Sequence, residues 1–256
     1  MKYKYFFEIS DLLFQVESNK ELQIPKCFQP FESTSDQKEN GDIELEVVHG
    51  VGDVVRCENG EKMNSYTLYI PETLSDKFCN QGNWLSFFKI DSFLAPHYRF
   101  FLHASTVIYK GKAYLFSGPS GSGKSSHASI WEKEFGATIL NGDKALISVS
   151  PEGCRVYGSP VAGSSEIYRN ESAPIAAIFL IKKSTRNCVQ TISTRKAFLA
   201  IYSEAIKSKW DATFNSNILE MAEILQKTTP IHSLECLLEK SAVECILQTL
   251  GEKYET

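Results

Sequence analysis

A glycine-rich stretch, LFSGPSGSGKSSHA at residues 115–128, has the residue types and the spacing that hold a phosphate chain. Gly118, Gly123, Lys124 and Ser125 fit the G-x-x-x-x-G-K-[ST] spacing of the Walker A motif. In this motif glycines let backbone N–H groups converge on an anion, the lysine reaches the β- and γ-phosphates, and the hydroxyl meets Mg²⁺. The stretch therefore predicts nucleotide binding. The residues expected to contact the nucleotide are Gly118, Ser120, Gly121, Ser122, Gly123, Lys124, Ser125 and Ser126.

A histidine upstream of this stretch is a second candidate. Residues 104–109 and 113–117 are short runs of strand-forming residues separated by a turn at Gly111, which predicts a hairpin. This hairpin places His103 opposite Pro119, at the mouth of the glycine-rich stretch. An imidazole there can act as a metal ligand or a proton carrier, and the alternative is a histidine that only packs or is solvated.

An aspartate after the next strand is a third candidate. Residues 125–135 predict a helix, with apolar residues at three- to four-residue spacing and Gly136 at its end, and residues 137–143 begin with a strand. The order strand, loop, helix, strand predicts two parallel strands joined by a right-handed crossover, so both end at the same sheet edge. Asp143 at that edge is predicted to hold Mg²⁺ or to accept a substrate proton. The alternative is a turn aspartate after Gly142.

The elements around these residues divide the chain at about residue 95. Residues 1–95 form a β-rich region, with strands predicted at residues 3–9, 43–50 and 64–71 and a polar loop at residues 32–42. Residues 96–256 are predicted to be a nucleotide-binding domain with further strands and a helical C-terminal part. Its predicted elements are strands at residues 144–150, 154–160 and 175–183, the last buried on both faces, and helices at residues 194–206, 216–228 and 240–253.

Composition narrows the classes of function. The chain has 256 residues, a formal net charge of −4 and 43% hydrophobic residues, so it has no basic excess for nucleic acid and no apolar run as long as a membrane span. The acidic residues Glu8 and Asp11 interrupt the apolar N-terminus, which argues against a signal peptide. The seven cysteines form no C-x-x-C pair, which favours free thiols and a cytoplasmic location.

The motifs together resemble the HPr kinase/phosphorylase family, which shares its P-loop architecture with ATP-dependent PEP carboxykinase. The resemblance rests on LHASTV, GPSGSGKSS, ATILNGDKALI and YGSPVAGSSEIYRNESAPIAAIFLI, and it covers about residues 100–182. It implies an α/β fold with a PEP-carboxykinase-like P-loop core, a mixed sheet and C-terminal helices. It also implies ATP and Mg²⁺ as ligands, with His103, Lys124 and Ser125 matching the family's histidine, lysine and hydroxyl, and it makes a homo-oligomer plausible.

The chain departs from the family in one respect. The family usually has two adjacent aspartates after the crossover strand, and here the pair is Gly142 and Asp143, so Asp143 serves as both metal ligand and base or one role is vacant. The signature for HPr itself is absent, so HPr is not the expected acceptor. Residues 158–170 carry Glu166 and Arg169 among small residues, which suits a mobile substrate loop, and the alternative is a plain connection between strands.

Three functions compete on this basis. The leading one is an ATP- and Mg²⁺-dependent kinase in which Asp143, His103 and Lys124 act on a hydroxyl of a small protein, a peptide or a small molecule. The second is a module that binds or senses ATP without transferring its phosphate. The third is a PEP-carboxykinase-like lyase, which is disfavoured because no arginine cluster for a dicarboxylate is evident.

Overall fold

The computed structural model describes residues 2–33, 41–62, 64–81, 90–208 and 211–251. Contacts between Cα atoms divide the chain into two units, residues 1–93 and 94–256. Each unit has its own mixed sheet, which makes the protein a mixed α/β protein. The polar loop predicted at residues 32–42 has its middle, residues 34–40, outside the described residues.

The first unit is built on one sheet. Its strands are β1 (Tyr3–Ile9), β2 (Leu12–Ser18), β3 (Ile43–His49), β4 (Arg56–Asn59) and β5 (Ser65–Ile70). Helix α1 (Glu72–Gln81) follows β5. The strand order is β1-β2-β3-β5-β4, with parallel pairs in the middle and antiparallel pairs at both edges. Residues alternate along β3 between buried and half-buried, as expected when one sheet face covers the core. The three predicted strands are confirmed, while β2 and β4 were not predicted.

The second unit carries the glycine-rich stretch and has more elements. A short helix, α2 (Ile90–Leu94), precedes it. Its strands are β6 (Arg99–Tyr109), β7 (Lys112–Ser117), β8 (Thr138–Asn141), β9 (Lys144–Ser150), β10 (Gly153–Tyr157), β11 (Ser172–Lys183), β12 (Cys188–Thr191) and β13 (Ile231–Cys236). Its helices are α3 (Lys124–Phe135), α4 (Thr194–Glu204), α5 (Ala212–Thr228) and α6 (Lys240–Thr249).

The sheet of the second unit is centred on β11. Its main path runs β10-β9-β6-β7-β11-β13-β12, and β11 lies parallel to both β7 and β13. Ala177, Ile178 and Phe179 in this strand are fully buried, which confirms the prediction of a strand covered on both faces. The C-terminal part was predicted to be helical only, and that prediction is wrong at β13, which lies between α5 and α6 in the chain and between β11 and the edge strand β12 in the sheet.

The crossover after the glycine-rich stretch joins two parallel strands, as predicted, but these strands are not neighbours in the sheet. β8 does not lie beside β7. It pairs with β6, because the edges of β7 are already taken by β6 and β11. Both β7 and β8 run antiparallel to β6, so they point in the same direction and end at the same sheet edge. That shared edge is the feature that brings the candidate residues together.

Helices cover the two faces of this sheet. Ile201 of α4 and Ile218 of α5 belong to one buried apolar cluster, and Trp131 of α3 and Val243 of α6 belong to another. α3 ends where it was predicted to end, since Gly136 adopts a left-handed φ of 66° and its N–H closes the last turn. Among the described residues, no helix combines the length and the apolar character needed to cross a membrane.

Candidate functional site

The glycine loop, residues 118–123, joins the end of β7 to the start of α3. Gly118, Gly121 and Gly123 have φ values of 147°, 79° and 104°, a region that residues with a Cβ rarely adopt. A Cβ on Gly118 would also lie 3.1 Å from the carbonyl oxygen of Ile181. Gly123 is the N-cap residue of α3 and has no side chain that could cap the helix. The first N–H groups of α3 therefore point out of the end of the helix. This cradle has the chemistry of an anion site.

Lys124 and Ser125 stand at the first turn of α3. The Lys124 Nζ donates to the carbonyl oxygens of Gly118 at 2.7 Å and Pro119 at 3.2 Å, so the ammonium lies across the glycine loop. The Ser125 Oγ lies 3.4 Å from the carbonyl oxygen of Gly142, the residue after β8. The start of α3 therefore meets the end of β8.

The position of His103 differs from the predicted one by one residue. Lys110 and Gly111 form a two-residue turn with φ values of 50° and 75°, and the last pair of the hairpin is Ala104 with Ser117. The prediction of Pro119 opposite His103 is therefore wrong, because the turn is one residue tighter than assumed. His103 pairs with Lys144 on β9, and its carbonyl accepts a bond of 2.8 Å from the Ser117 hydroxyl.

His103 and Asp143 come together at the sheet edge. The His103 Nδ1 lies 4.0 Å from the Asp143 Oδ1, with side chains 45% and 37% exposed respectively. The Ala104 N–H donates to the Asp143 carbonyl oxygen at 3.0 Å, which fixes the backbone of the two strands beside each other. An imidazole and a carboxylate that are both accessible and this close can exchange a proton with a bound molecule.

The segment after β10 packs against Gly142 and Asp143, a contact that was not predicted from the sequence. A Cβ on Gly163 would lie 2.7 Å from the Asp143 Oδ2, and a Cβ on Gly142 would lie 2.4 Å from the Cβ of Ser165. Gly163 thus leaves room for the carboxylate, and Ser165 fills the space beside Gly142. The only available signal in the sequence was the cluster of small residues around Gly163.

The two predicted substrate residues have other surroundings. Glu166 ends the short turn of residues 163–165 with a left-handed φ of 50°. The Arg169 guanidinium lies 3.6 Å from the Glu171 carboxylate. Within the described ranges, neither side chain makes a hydrogen bond or ion pair with His103, Lys124 or Asp143, so their role as substrate contacts stays a prediction.

Two clefts open near these residues. The first, of about 710 Å³, is lined by the glycine loop, the ends of β11 and β13, and α4, and it includes Lys183 and Gln190. The second, of about 590 Å³, is lined by His103, Lys144 and the segment after α4. Ser203 of α4 lines both clefts, so the last turn of this helix forms a wall that they share.

His127, in the first turns of α3, is part of the interior. It is fully buried, its ring lies edge-on to Phe116 with centroids 4.5 Å apart, and its Nε2 accepts a hydrogen bond of 3.3 Å from the Trp131 indole. Burial lowers the pKa of His127 to about 4, because the charged form would be desolvated. The residue therefore holds α3 on the sheet in the neutral form.

Comparison with known proteins gives a fold-level likeness. No protein-family model matches the chain, and no curated protein matches it at a significant level. Among solved structures, the chain is similar to the HPr(Ser) kinase/phosphatase from Coxiella burnetii, with a TM-score of 0.33 and 8% identity over 59% of this chain and 93% of that one. A likeness this distant says nothing about the chemistry of the site.

Proposed function

We propose that this chain is a kinase that transfers the terminal phosphoryl group of ATP to a hydroxyl acceptor. The observation that supports this most strongly is the His103–Asp143 pair, 4.0 Å apart and accessible, at the sheet edge where the glycine loop begins. In this proposal the second unit is a P-loop core of the HPr-kinase-like and PEP-carboxykinase-like type, with residues 1–95 as a separate β-rich domain.

The glycine loop would hold the triphosphate. Its N–H groups and the start of α3 present positive charge density to the phosphates, and the Lys124 ammonium already lies over the loop. On binding, this ammonium would exchange the Gly118 and Pro119 carbonyl oxygens for phosphate oxygens, which are stronger partners because they are charged. The same ammonium would stabilise the charge that develops as the phosphoryl group leaves.

Asp143 would act on the acceptor, with His103 beside it. A bond forms between the acceptor oxygen and the γ-phosphorus, the bond from the γ-phosphorus to the bridging oxygen breaks, and its electron pair stays on ADP. The proton of the acceptor hydroxyl goes to the Asp143 carboxylate. His103 faces that carboxylate and would hold or pass on the proton, and Gly163 leaves the carboxylate room to turn.

The residues present also fit Mg²⁺. Mg²⁺ prefers oxygen ligands and uses few protein groups together with phosphate oxygens. Ser125 offers a hydroxyl whose contact to Gly142 is long, at 3.4 Å, and Asp143 offers a carboxylate with no hydrogen bond from within the described ranges. These two residues would hold the ion, and the bound ion would neutralise charge on the phosphates.

Calorimetry and a transfer assay test the proposal together. Lys124→Ala should abolish binding of ATP with Mg²⁺, while Lys133→Ala, an exposed lysine of the same helix, should leave it unchanged. Asp143→Asn should still bind ATP, through the glycine loop and Lys124, and lose transfer to a panel of proteins, peptides and small hydroxyl compounds, measured as phosphorylated product. Transfer that survives Asp143→Asn would contradict the role given to this carboxylate.

A second candidate, a module that binds ATP without transferring its phosphate, is favoured by one observation. The space beside Gly142 that a second carboxylate would need is filled by Ser165, whose hydroxyl donates to the Ala162 carbonyl oxygen at 2.8 Å. A site with one carboxylate has less to stabilise the transfer step. Tight ATP binding by the wild type with no product across the whole panel would select this candidate over the kinase.

A further inference from the structure

The cleft beside His103 has a chemistry of its own. Besides His103, its polar lining among the described residues consists of Lys144, Lys207, Ser203, Ser208 and Asn215, and none of these described lining residues is a carboxylate. A volume of about 590 Å³ suits a small molecule rather than a segment of folded protein. Two ammonium groups and two hydroxyls in one cleft are the groups that bind a carboxylate or a phosphate.

The two lysines of this cleft differ in how far they are engaged. The Lys207 Nζ donates to the carbonyl oxygens of Tyr202, Ser203 and Ala205, at the end of α4, so its charge is held in place. Lys144 makes no hydrogen bond or ion pair within the described ranges. Its ammonium group is therefore available to bind a ligand.

The backbone that follows Lys207 is also fixed. The Asn215 amide holds Ser208 on both sides, accepting from its N–H at 3.1 Å and donating to its carbonyl oxygen at 2.7 Å. Glu204, a neighbouring carboxylate, lines the glycine-loop cleft rather than this one. Among the described residues, the lining itself thus carries two lysines and no carboxylate, and the nearest carboxylate in the candidate site, Asp143, faces His103 at 4.0 Å.

Lys144 also has a defined position relative to His103 and Asp143, where the phosphoryl group would be transferred. It is the direct cross-strand partner of His103, and such partners have Cβ atoms about 5 Å apart on the same sheet face. It follows Asp143 in the chain. An anion bound by Lys144 would thus lie a few bonds from a hydroxyl that faces His103 and Asp143.

We propose that this cleft binds the anionic group of the acceptor, so that the acceptor is a small hydroxyl compound carrying a carboxylate or a phosphate, with Lys144 as the residue that recognises it. The proposal rests on the proposed function, since it names the substrate class of the same site. The two possible anions share one chemistry, and the experiment separates them.

The experiment compares matched pairs of compounds on the full chain. Glycerate and its methyl ester differ in the carboxylate charge and one methyl group, and glycerol 3-phosphate and glycerol differ in the phosphate. Product formation with ATP and Mg²⁺ gives KM, and calorimetry with a non-hydrolysable ATP analogue gives Kd for each compound. We expect one anionic member to bind and react at least tenfold better than its neutral partner.

Two variants make the result specific. Lys144→Met keeps the length of the side chain and removes its charge, and it should raise KM and Kd for the anionic compound at least tenfold while the Kd for ATP stays unchanged. Lys133→Met should change none of these values. The neutral partners should react equally poorly with the wild type and with Lys144→Met.

The outcomes separate the inference from the function beneath it. If neutral compounds or proteins are phosphorylated as well as the anionic ones, or if Lys144→Met binds the anions unchanged, the inference is wrong and the kinase stands. If anionic compounds bind through Lys144 but no product forms, the recognition is right and the transfer is wrong. If no anionic compound binds at all, the inference is overturned.

Discussion

The interior beneath α3 and the sheet edge beside the glycine loop each contain a histidine, and the two sites are built in opposite ways. His127 is enclosed by Phe116 and Trp131, accepts one hydrogen bond and is fully buried. His103 is 45% exposed, lines a cleft and faces the Asp143 carboxylate. Both residues are histidines, and the buried one, His127, is the closer of the two to the glycine loop in sequence.

What separates them is access to solvent and a charged neighbour. Desolvation keeps His127 neutral across the physiological pH range, so it can pack but cannot exchange protons there. His103 has an accessible ring and an acidic partner, which are the conditions for proton exchange with a ligand. A histidine close in sequence to a phosphate loop is therefore no guide to which residue works with that loop.

The largest expected effect comes from exchanging each histidine for glutamine. His103→Gln should lower the turnover of phosphate transfer roughly 100-fold or more, because proton transfer contributes about 10²–10⁴ to such steps. Its stability should stay within about 0.5 kcal/mol of the wild type, since the side chain is accessible. His127→Gln, which can still accept from Trp131, should bind ATP and transfer phosphate normally. Equal losses of turnover in both variants would remove the distinction.

Stability against pH should show the second-largest effect. The folded pKa of His127, about 4, lies below its ordinary value of 6.5, so the unfolded chain takes up a proton over this range before the folded chain does. His127 therefore leaves the free energy of unfolding undiminished above pH 6.5, and this free energy falls as the pH falls from 6.5 towards 4. A shift of this size corresponds to about 3 kcal/mol at about 1.4 kcal/mol per pH unit.

Urea unfolding at pH 7.5 and pH 4.5 measures this loss, with His127→Gln as the reference. Burial also lowers the pKa of His49 and His232, but both remain in the variant and cancel in the difference. The wild type should therefore lose more stability than His127→Gln over this interval. A difference below about 1 kcal/mol would mean that His127 is not buried as a neutral group.

A smaller effect is expected from crowding the carboxylate at the sheet edge. Gly163→Ala would bring a Cβ within 2.7 Å of the Asp143 Oδ2, so the carboxylate must move and turnover should fall about tenfold, or about 1.4 kcal/mol in the barrier. Gly136→Ala is the matched control, because Gly136 has a similar φ of 66° and open space around it. Both variants should lose about 1 kcal/mol of stability through backbone strain. Equal turnover in the two would show that Gly163 does not position Asp143.

Features that depend on short sequence patterns could be predicted better than features that depend on long-range contacts. The glycine loop, the end of α3 at Gly136 and the buried strand β11 follow from short patterns that act within a few residues. The partner of His103 was wrong by one residue because hairpin register depends on the length of the turn. The direction of β8 and the edge at which it ends were predicted correctly, but the presence of β6 between β7 and β8 was not, because it depends on which strand edges are already occupied.

The residues around Asp143 could not be found from the sequence for the same reason. Gly163 and Ser165 reach Gly142 and Asp143 from a segment that lies after two further strands, and nothing in their own spacing signals that contact. Lys144 directly follows the candidate residue Asp143, but the role proposed for Lys144 depends on the cleft that the segment after α4 helps to form. Contacts of this kind are set by packing across the whole unit.

A site built from the glycine loop, His103 and Asp143 can be probed by NMR of the histidine side chains in the full chain, which has five histidines, with ¹⁵N in the imidazole rings. His103→Gln and His127→Gln assign the two signals by their loss. On addition of an ATP analogue with Mg²⁺, we expect the His103 signals to shift in a saturable way and those of His127 to stay in place. Saturable nucleotide binding with an unmoved His103, or no binding at all, would contradict a site built from the glycine loop, His103 and Asp143.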